Sequence, residues 1–157
     1  MSYILPQHSL NNLKGVHPNL VKVVKRAIEI TGQDFMVIEG VRSREQCMIN
    51  YGKGRTAAQC LAKGIPARYA QPKVAKVTWL SNPFASKHCV QKDGYGHAVD
   101  ICPYPVDWKD LKKFDAIGSA MLKAGRELGI AVRWGADWNR NGKLRERGEN
   151  DSPHFEI

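Results

Sequence analysis

The stretch Gly96-His97-Ala98-Val99-Asp100-Ile101 reads as a β-strand with one charge set on a surface of very small side chains. Successive side chains on a strand point to opposite faces. Gly96, Ala98 and Asp100 therefore share one face, and His97, Val99 and Ile101 share the other. Val99 and Ile101 suit a core. Asp100 instead looks out over the two smallest side chains of its own strand, which leaves room above it for something bulky. His97 and Asp100 are three positions apart, so a regular strand sends them to opposite faces.

Working outward, residues 18–31 carry Leu20, Val24, Ala27 and Ile28 at helical spacing, with Pro18 suited to the first turn and Gly32 to the stop. Residues 35–41 form a short apolar run, expected as a buried strand. Ser43, with Gln46 three residues later, has the form of a capping box opening a short helix through Tyr51. Residues 52–72 are broken by Gly52, Gly54, Gly64, Pro66 and Pro72, which predicts a surface excursion carrying at most a short helix. Residues 74–80 have the composition of a strand or hairpin arm, and residues 81–96 of a loop. After Pro103 and Pro105, Asp107 is expected to cap the clearest helix. Its stripe is Leu111, Phe114, Ile117, Met121, Ala124 and Leu128, and Gly129 ends it. Residues 130–134 read as a strand, 135–152 as a polar stretch, and 154–157 as a final strand. Helices and strands alternate without a βαβ rhythm. The fold class expected is α+β, a small, mainly antiparallel sheet with helices packed on it.

The chain has 157 residues, 43% hydrophobic and 25% charged, the balance of one globular domain with its own core. No run is apolar for the length a bilayer demands, so stable membrane insertion is not expected. The first ten residues lack the basic start and long apolar run of a secretory signal, which points to synthesis in the cytosol. None of the four cysteines, Cys47, Cys60, Cys89 and Cys102, forms a CxxC pair, which weakens a zinc-ribbon reading. In the cytosol they are expected to be reduced and mostly buried, although sequence does not decide against a disulfide. The net charge of +9 attracts polyanions in general. The basic residues are scattered, as with Lys22, Lys25, Lys112, Lys113, Arg145 and Arg147, and no nucleic-acid motif accompanies them. Nucleic acid is not an expected partner.

Two further histidines are candidates to join Asp100. His88 lies in Ser86-Lys87-His88, and His154 in Asp151-Ser152-Pro153-His154. Two imidazoles and a carboxylate make a catalytic zinc set that leaves a fourth position for water. Asp151, three residues before His154, is placed to act as a base beside such a metal. Each piece alone has an ordinary alternative: a hydrogen-bonded histidine, or an aspartate capping a turn. The spacing from His88 to Asp100 matches no generic motif.

Taken together, Ser86-x-His88, Gly96-x-Ala98-x-Asp100 and Asp151-x-x-His154 resemble the zinc peptidases of the D-Ala-D-Ala carboxypeptidase, dipeptidase and hedgehog-like group. Within it the chain is most similar to the L-alanyl-D-glutamate endopeptidases that tailed phages use as endolysins. His17-Pro18-Asn19-Leu20, Glu39-Gly40-Val41-Arg42-Ser43, Gln46, residues 124–130 and residues 134–139 extend the resemblance over most of the chain outside 52–82. It implies a hedgehog/DD-peptidase-like fold in one catalytic domain spanning 1–157, without a separate wall-binding domain. It implies zinc held by His88, Asp100 and His154. Asp151 would be the general base, and Arg42 would stabilise the oxyanion of the scissile carbonyl. It also implies peptidoglycan as substrate, a monomer, and a cytoplasmic enzyme that reaches the wall after holin-mediated release. Two departures stand out. The family pattern has two residues between the first histidine and the glycine, where residues 89–95 stand here, so His97 is the alternative ligand to His88. The excursion at 52–82 is also long for the subgroup.

Asp137-x-Asn139-x-Asn141-Gly142 has the alternating oxygens and the sixth-position glycine of a calcium loop. The twelfth position is Gly148, not glutamate, although Glu146 and Glu149 are near. The alternatives are a calcium site and a plain polar turn. For function, the resemblance favours cleavage of the L-Ala–D-Glu bond. A D-Ala-D-Ala carboxypeptidase or dipeptidase and a non-catalytic wall-polymer binder are the other readings.

Overall fold

The computed structural model describes residues 2–157. It contains helices α1 (Gln7–Asn12), α2 (Pro18–Ile30), α3 (Arg44–Gly52), α4 (Ala57–Ala62) and α5 (Leu111–Leu128), with a single 3-10 turn at Ala67–Tyr69. Strands β1 (Phe35–Glu39), β2 (Ala98–Pro103), β3 (Arg133–Gly135) and β4 (Asp151–Glu156) form one sheet in the order β1-β2-β4-β3. Every neighbouring pair is antiparallel. The fold is α+β, as the sequence pattern predicts.

One face of this sheet is the core. Val99 and Ile101 of β2 join Phe35 and Val37 of β1, Phe155 of β4 and Trp134 of β3 beneath helices α2 and α5. Those helices supply Leu20, Val23, Val24, Ala27 and Ile28, and Phe114, Ile117, Met121 and Ala124. The expected stripe on α5 is buried in its middle turns, while Leu111 and Leu128 at its ends stay 46% and 43% exposed. Gly118 lets α5 sit directly on the Trp134 ring: a Cβ there would lie 2.5 Å from ring carbons. The edge strand β1 would leave backbone groups unpaired. Helix α1 meets them. Ser9 Oγ accepts from the Val37 N–H, and Asn12 Nδ2 donates to the Val37 carbonyl.

The helix ends follow local chemistry, with adjustments. His17 caps α2, its Nδ1 accepting from the Asn19 N–H at 3.0 Å. Ser43 caps α3 through the Gln46 N–H, but the Gln46 side chain turns to Asn50, so only half of the expected capping box forms. The full box belongs to Thr56 and Gln59 on α4. Asp110, not Asp107, caps α5. Asp107 instead accepts from the Lys109 and Asp110 N–H groups in the turn before it. Residues 74–80 contain no strand. Residues 130–134 narrow to a strand at Arg133–Gly135, and the last strand starts early, at Asp151. Helix α1 has no periodic signal in the sequence, since six residues make too few turns for one.

The excursion at 52–82 has a small core of its own, formed by Tyr51, Cys60, Ile65 and Tyr69 with Phe84 against it. Arg55 ties it to α3. Its guanidinium lies 3.9 Å from the Tyr51 ring centroid and donates to the carbonyls of Tyr51 and Thr78. The cysteine expectation is corrected in part. Cys60 and Cys102 are free and buried, but Cys47 and Cys89 form a disulfide. The two lie 42 positions apart in the chain, and only the packing of α3 beside the loop after His88 brings them together.

Helix propensity alone would favour Gly118→Ala by about 1 kcal/mol. Overpacking against Trp134 opposes it and costs typically about 1–3 kcal/mol. The clash should win. Urea unfolding of Gly118→Ala is expected to show a lower midpoint than the parent, and an unchanged or higher midpoint would contradict this packing.

Candidate metal centre

The β2–β4 register sets Asp100 directly opposite His154. Both side chains project from the sheet face opposite the helices. His88 reaches the same point from the loop that precedes β2. Its Nε2 lies 3.2 Å from Asp100 Oδ1, and His154 Nδ1 lies 3.3 Å from the same oxygen. The two imidazoles meet edge to face with centroids 5.1 Å apart. His88 and His154 are buried, at 3% and 7% exposure.

The outward nitrogens settle how these rings are held. His88 Nδ1 is 2.8 Å from the Gly40 carbonyl, which can only accept, so that nitrogen carries the hydrogen and donates. His154 Nε2 is 2.8 Å from Glu156 Oε1 and donates likewise. The inward nitrogens, His88 Nε2 and His154 Nδ1, are thereby left as lone pairs whenever each ring is neutral. A metal-binding histidine has this form, with its far N–H anchored on a carbonyl or carboxylate.

Charge in the cluster is strongly organised. Burial alone would raise the Asp100 carboxyl, but the hydrogen bonds from His154 and His88 outweigh it and hold Asp100 well below the usual carboxylate range. Burial would depress the His154 imidazolium, yet Asp100 and Glu156 together raise it to about 9. Glu156, against its own burial, is held down at about 2 by His154 and by Arg133, whose Nη2 is 2.6 Å away. Asp151 moves the other way. Desolvation in the cleft raises it, His154 opposes the rise and the charge of Asp100 adds to it, while 52% of the side chain remains exposed. Its Oδ2 is 3.9 Å from His154 Nδ1.

His88, Asp100, Asp151 and His154 line a cleft of about 470 Å³. Asp100, Asp151 and His154 form one wall, Arg42 and α3 another, and Val77, Thr78 and Leu80 of the excursion the rim. The Arg42 N–H donates to the His88 carbonyl, so the two residues are fixed together. The Arg42 guanidinium pairs with Glu39, with Nε and Nη2 both 2.9 Å from Oε1. The structure thus brings together His88, Asp100, His154, Asp151 and Arg42.

His97, the alternative ligand, belongs elsewhere. It faces the helix side of β2 and joins His17 and Asp93 in a second cluster. His97 Nε2 is 2.7 Å from Asp93 Oδ2, and His17 Nε2 is 3.8 Å from it. His17 Nδ1 already accepts a backbone N–H as the α2 cap. Neutral His17 therefore carries its hydrogen on Nε2, the nitrogen that points at Asp93. In this cluster the hydrogen bond runs between His97 and Asp93, while the His17 ring packs edge-on against Tyr95 and His97.

Glu156 and Gly40, which anchor the outer nitrogens of His154 and His88, are not among the residues the sequence singles out. Glu156 had a signal: His154 and Glu156 are two apart on a strand and share a face. A backbone carbonyl such as that of Gly40 leaves none.

The loop at Asp137 is tightly wound. Asp137 accepts from the Asn141 and Gly142 N–H groups, and Asn139 Oδ1 from Asn141 N–H. Gly142 takes a φ of +81°, as the sixth position of such a loop requires. Glu149, 4% exposed, folds in and accepts from the Asn139 and Glu146 N–H groups.

Comparison with known proteins shows the family. The profile of the family described as phage L-alanyl-D-glutamate peptidase matches residues 1–68 and 67–157. The L-alanyl-D-glutamate peptidase of Escherichia phage T5 is 34% identical over 163 residues, covering 100% of this chain and 99% of that protein. The crystal structure of the Serratia marcescens L-Ala D-Glu endopeptidase ChiX has a TM-score of 0.58 and 28% identity, covering 98% of this chain and 90% of that one. A match along the whole length, with the histidines and aspartates gathered in one cleft, places this chain in the phage L-alanyl-D-glutamate peptidase family.

Proposed function

We propose that the chain is a single-domain, monomeric zinc endolysin that cuts the L-Ala–D-Glu bond of peptidoglycan stem peptides, with His88, Asp100 and His154 as ligands, Asp151 as general base and Arg42 as the oxyanion-stabilising cation. One observation carries the reading. Two imidazoles with anchored outer N–H groups turn their inner nitrogens onto one carboxylate oxygen at the wall of a cleft that also holds Asp151 and Arg42. Three protein ligands of this kind suit zinc and leave a coordination position open. When bound, zinc supplies a Lewis acid that makes hydroxide available near neutral pH and polarises a carbonyl.

The protein's own residues do the rest. Asp151 is raised from the ordinary carboxylate range, toward the pKa suited to taking a proton from water and returning it to the leaving amine. Arg42, held by Glu39, aims a fixed cation at the cleft, where charge develops on the scissile carbonyl oxygen. Gly40 and Glu156 keep the ligand rings in the required tautomer. No helix is long and apolar enough to cross a membrane, and action at the wall would follow release from the host cytoplasm by a holin. The basic surface, +9 overall, suits an anionic wall.

In the same reading the Asp137 loop binds calcium through Asp137, Asn139 and Asn141, with Glu149 supplying the carboxylate one position later than usual. The inward fold of Glu149 supports this. Calcium would then order the segment leading to Asp151.

Digestion of purified peptidoglycan should create new N-terminal D-Glu, identified by mass spectrometry. His154→Ala should abolish it, and Asp151→Asn should lower the rate about 10²–10⁴-fold. Release of free D-Ala in place of new D-Glu termini, or full activity in folded His154→Ala, would overturn the assignment. Metal uptake provides a second check. His154 in the metal-free protein, with a pKa of about 9, is protonated at pH 7.5 and must lose that proton to ligate. Calorimetry in buffers of different ionisation enthalpy should report about one proton released per zinc, and affinity should climb with pH until about pH 9. Heats independent of buffer would contradict the geometry. For the Asp137 loop, calcium titrated into the zinc-loaded protein should give saturable heat that Asp137→Ala removes, and silence at millimolar calcium would exclude the site.

A further inference from the structure

We infer that Lys53, assisted by the Asn50 carboxamide, reads the free carboxylate of the glutamyl residue on the leaving side of the scissile bond. This rests on the L-Ala–D-Glu reading of the site. The chemistry of that substrate demands such a group. A glutamyl residue has two carboxyls and uses one to continue the chain, so the other remains as an anion next to the bond being cut. Left in a cleft beside the Asp100 and Asp151 carboxylates, it would be repelled unless a cation met it.

Two cationic side chains other than histidine line the cleft among the described residues, Arg42 and Lys53. Arg42 is engaged by Glu39. Lys53 is half-buried and has no carboxylate partner among the described residues. Asn50 lies one helical turn before it and also lines the cleft. Its oxygen is taken by Gln46 Nε2, which leaves its two N–H groups to donate. Lysine and amide donors three positions apart lie on neighbouring faces of a helix end and can meet one carboxylate.

The backbone at this point is held firmly. Lys53 follows the last residue of α3 and bridges to Gln71. Gly54 N–H donates to the Gln71 carbonyl and Gln71 N–H to the Gly52 carbonyl, both at 2.9 Å. That second bond, with one from Arg55 N–H, also takes up the terminal carbonyl of the helix, which would otherwise disfavour an anion. The excursion thus acquires a role: it clamps the end of α3 so that the Lys53 ammonium has a fixed origin.

The test compares two soluble peptides that differ only in this carboxyl, one with the carboxylate and one with the carboxamide. A hydrogen-bonded charge pair is worth roughly ten- to a hundredfold in binding. The zinc-loaded parent should prefer the carboxylate peptide by that factor in kcat/KM, expressed mainly in KM. Lys53→Met should bring the ratio of the two peptides close to one, and Lys53→Arg should restore part of the preference. Zinc content and thermal midpoint of each variant report whether the fold is intact. A parent that treats both peptides alike, or a folded Lys53→Met that keeps the parental ratio, overturns the assignment of Lys53. A zinc-loaded parent that cleaves neither peptide nor peptidoglycan overturns the underlying peptidase reading instead.

Discussion

Asp100 Oδ1 stands between His88 Nε2 and His154 Nδ1, and much of the molecule is arranged to keep it there. The carboxylate is drawn out of water, which on its own would push it toward the neutral form. Hydrogen bonds and positive charge from the two histidine rings, when these are protonated, hold it ionised. The arrangement depends on register. Asp100 faces His154 across an antiparallel pair, and a slip of one residue would send His154 to the helix side and Phe155 into the cleft. Burial fixes that register. Phe155 packs against Trp134, and Val99 and Ile101 lie within the same core, so the apolar face of the sheet determines what the polar face displays.

A further layer of groups converts position into orientation. Glu156 binds the far nitrogen of His154 and is itself anchored by Arg133. The Arg133 guanidinium lies 5.3 Å from the Trp138 ring centroid, and Trp138 packs on His154 at the same centroid distance. On the other side, Gly40 holds His88, and the His88 carbonyl holds Arg42. The Cys47–Cys89 bond joins α3 to the residue after His88, so the α3 wall of the cleft is tied covalently to the His88 loop.

The α+β class, the two long helices and the strand at Asp100 could be read from the sequence, because each rests on local periodicity, whereas the grouping of His88, Asp100 and His154 was implied only by short motifs taken together. The misplacements have definite causes. Residues 74–80 have strand composition, but Arg55 holds Thr78 in an irregular path and no partner strand is offered. Asp107 and Asp110 are equally good caps in isolation, and the choice depends on where the chain turns after Pro105. The disulfide joins cysteines 42 positions apart, which no spacing rule foretells. His88 sits beside Asp100 in spite of the longer loop, and His17, Asp93 and His97 gather beside that loop, a grouping that exists only in three dimensions. Glu156 was within reach of alternation on a strand. Lys53 was not, since its meaning depends on which other cation is already paired.

The sheet order β1-β2-β4-β3 has a consequence for how the molecule comes into being. The strand that appears last along the chain occupies an inner position, between two strands made before it. Until it inserts, β2 lacks its second neighbour, β3 lacks any, and Asp100 has one imidazole instead of two. Ordering the sheet therefore waits on contacts that span more than fifty positions, and such non-local closure is slow compared with helix formation. The pairing of Asp100 with His154 is completed only when β4 takes its place between β2 and β3. A partly folded copy, with β4 outside the sheet, therefore lacks the complete cluster of His88, Asp100 and His154.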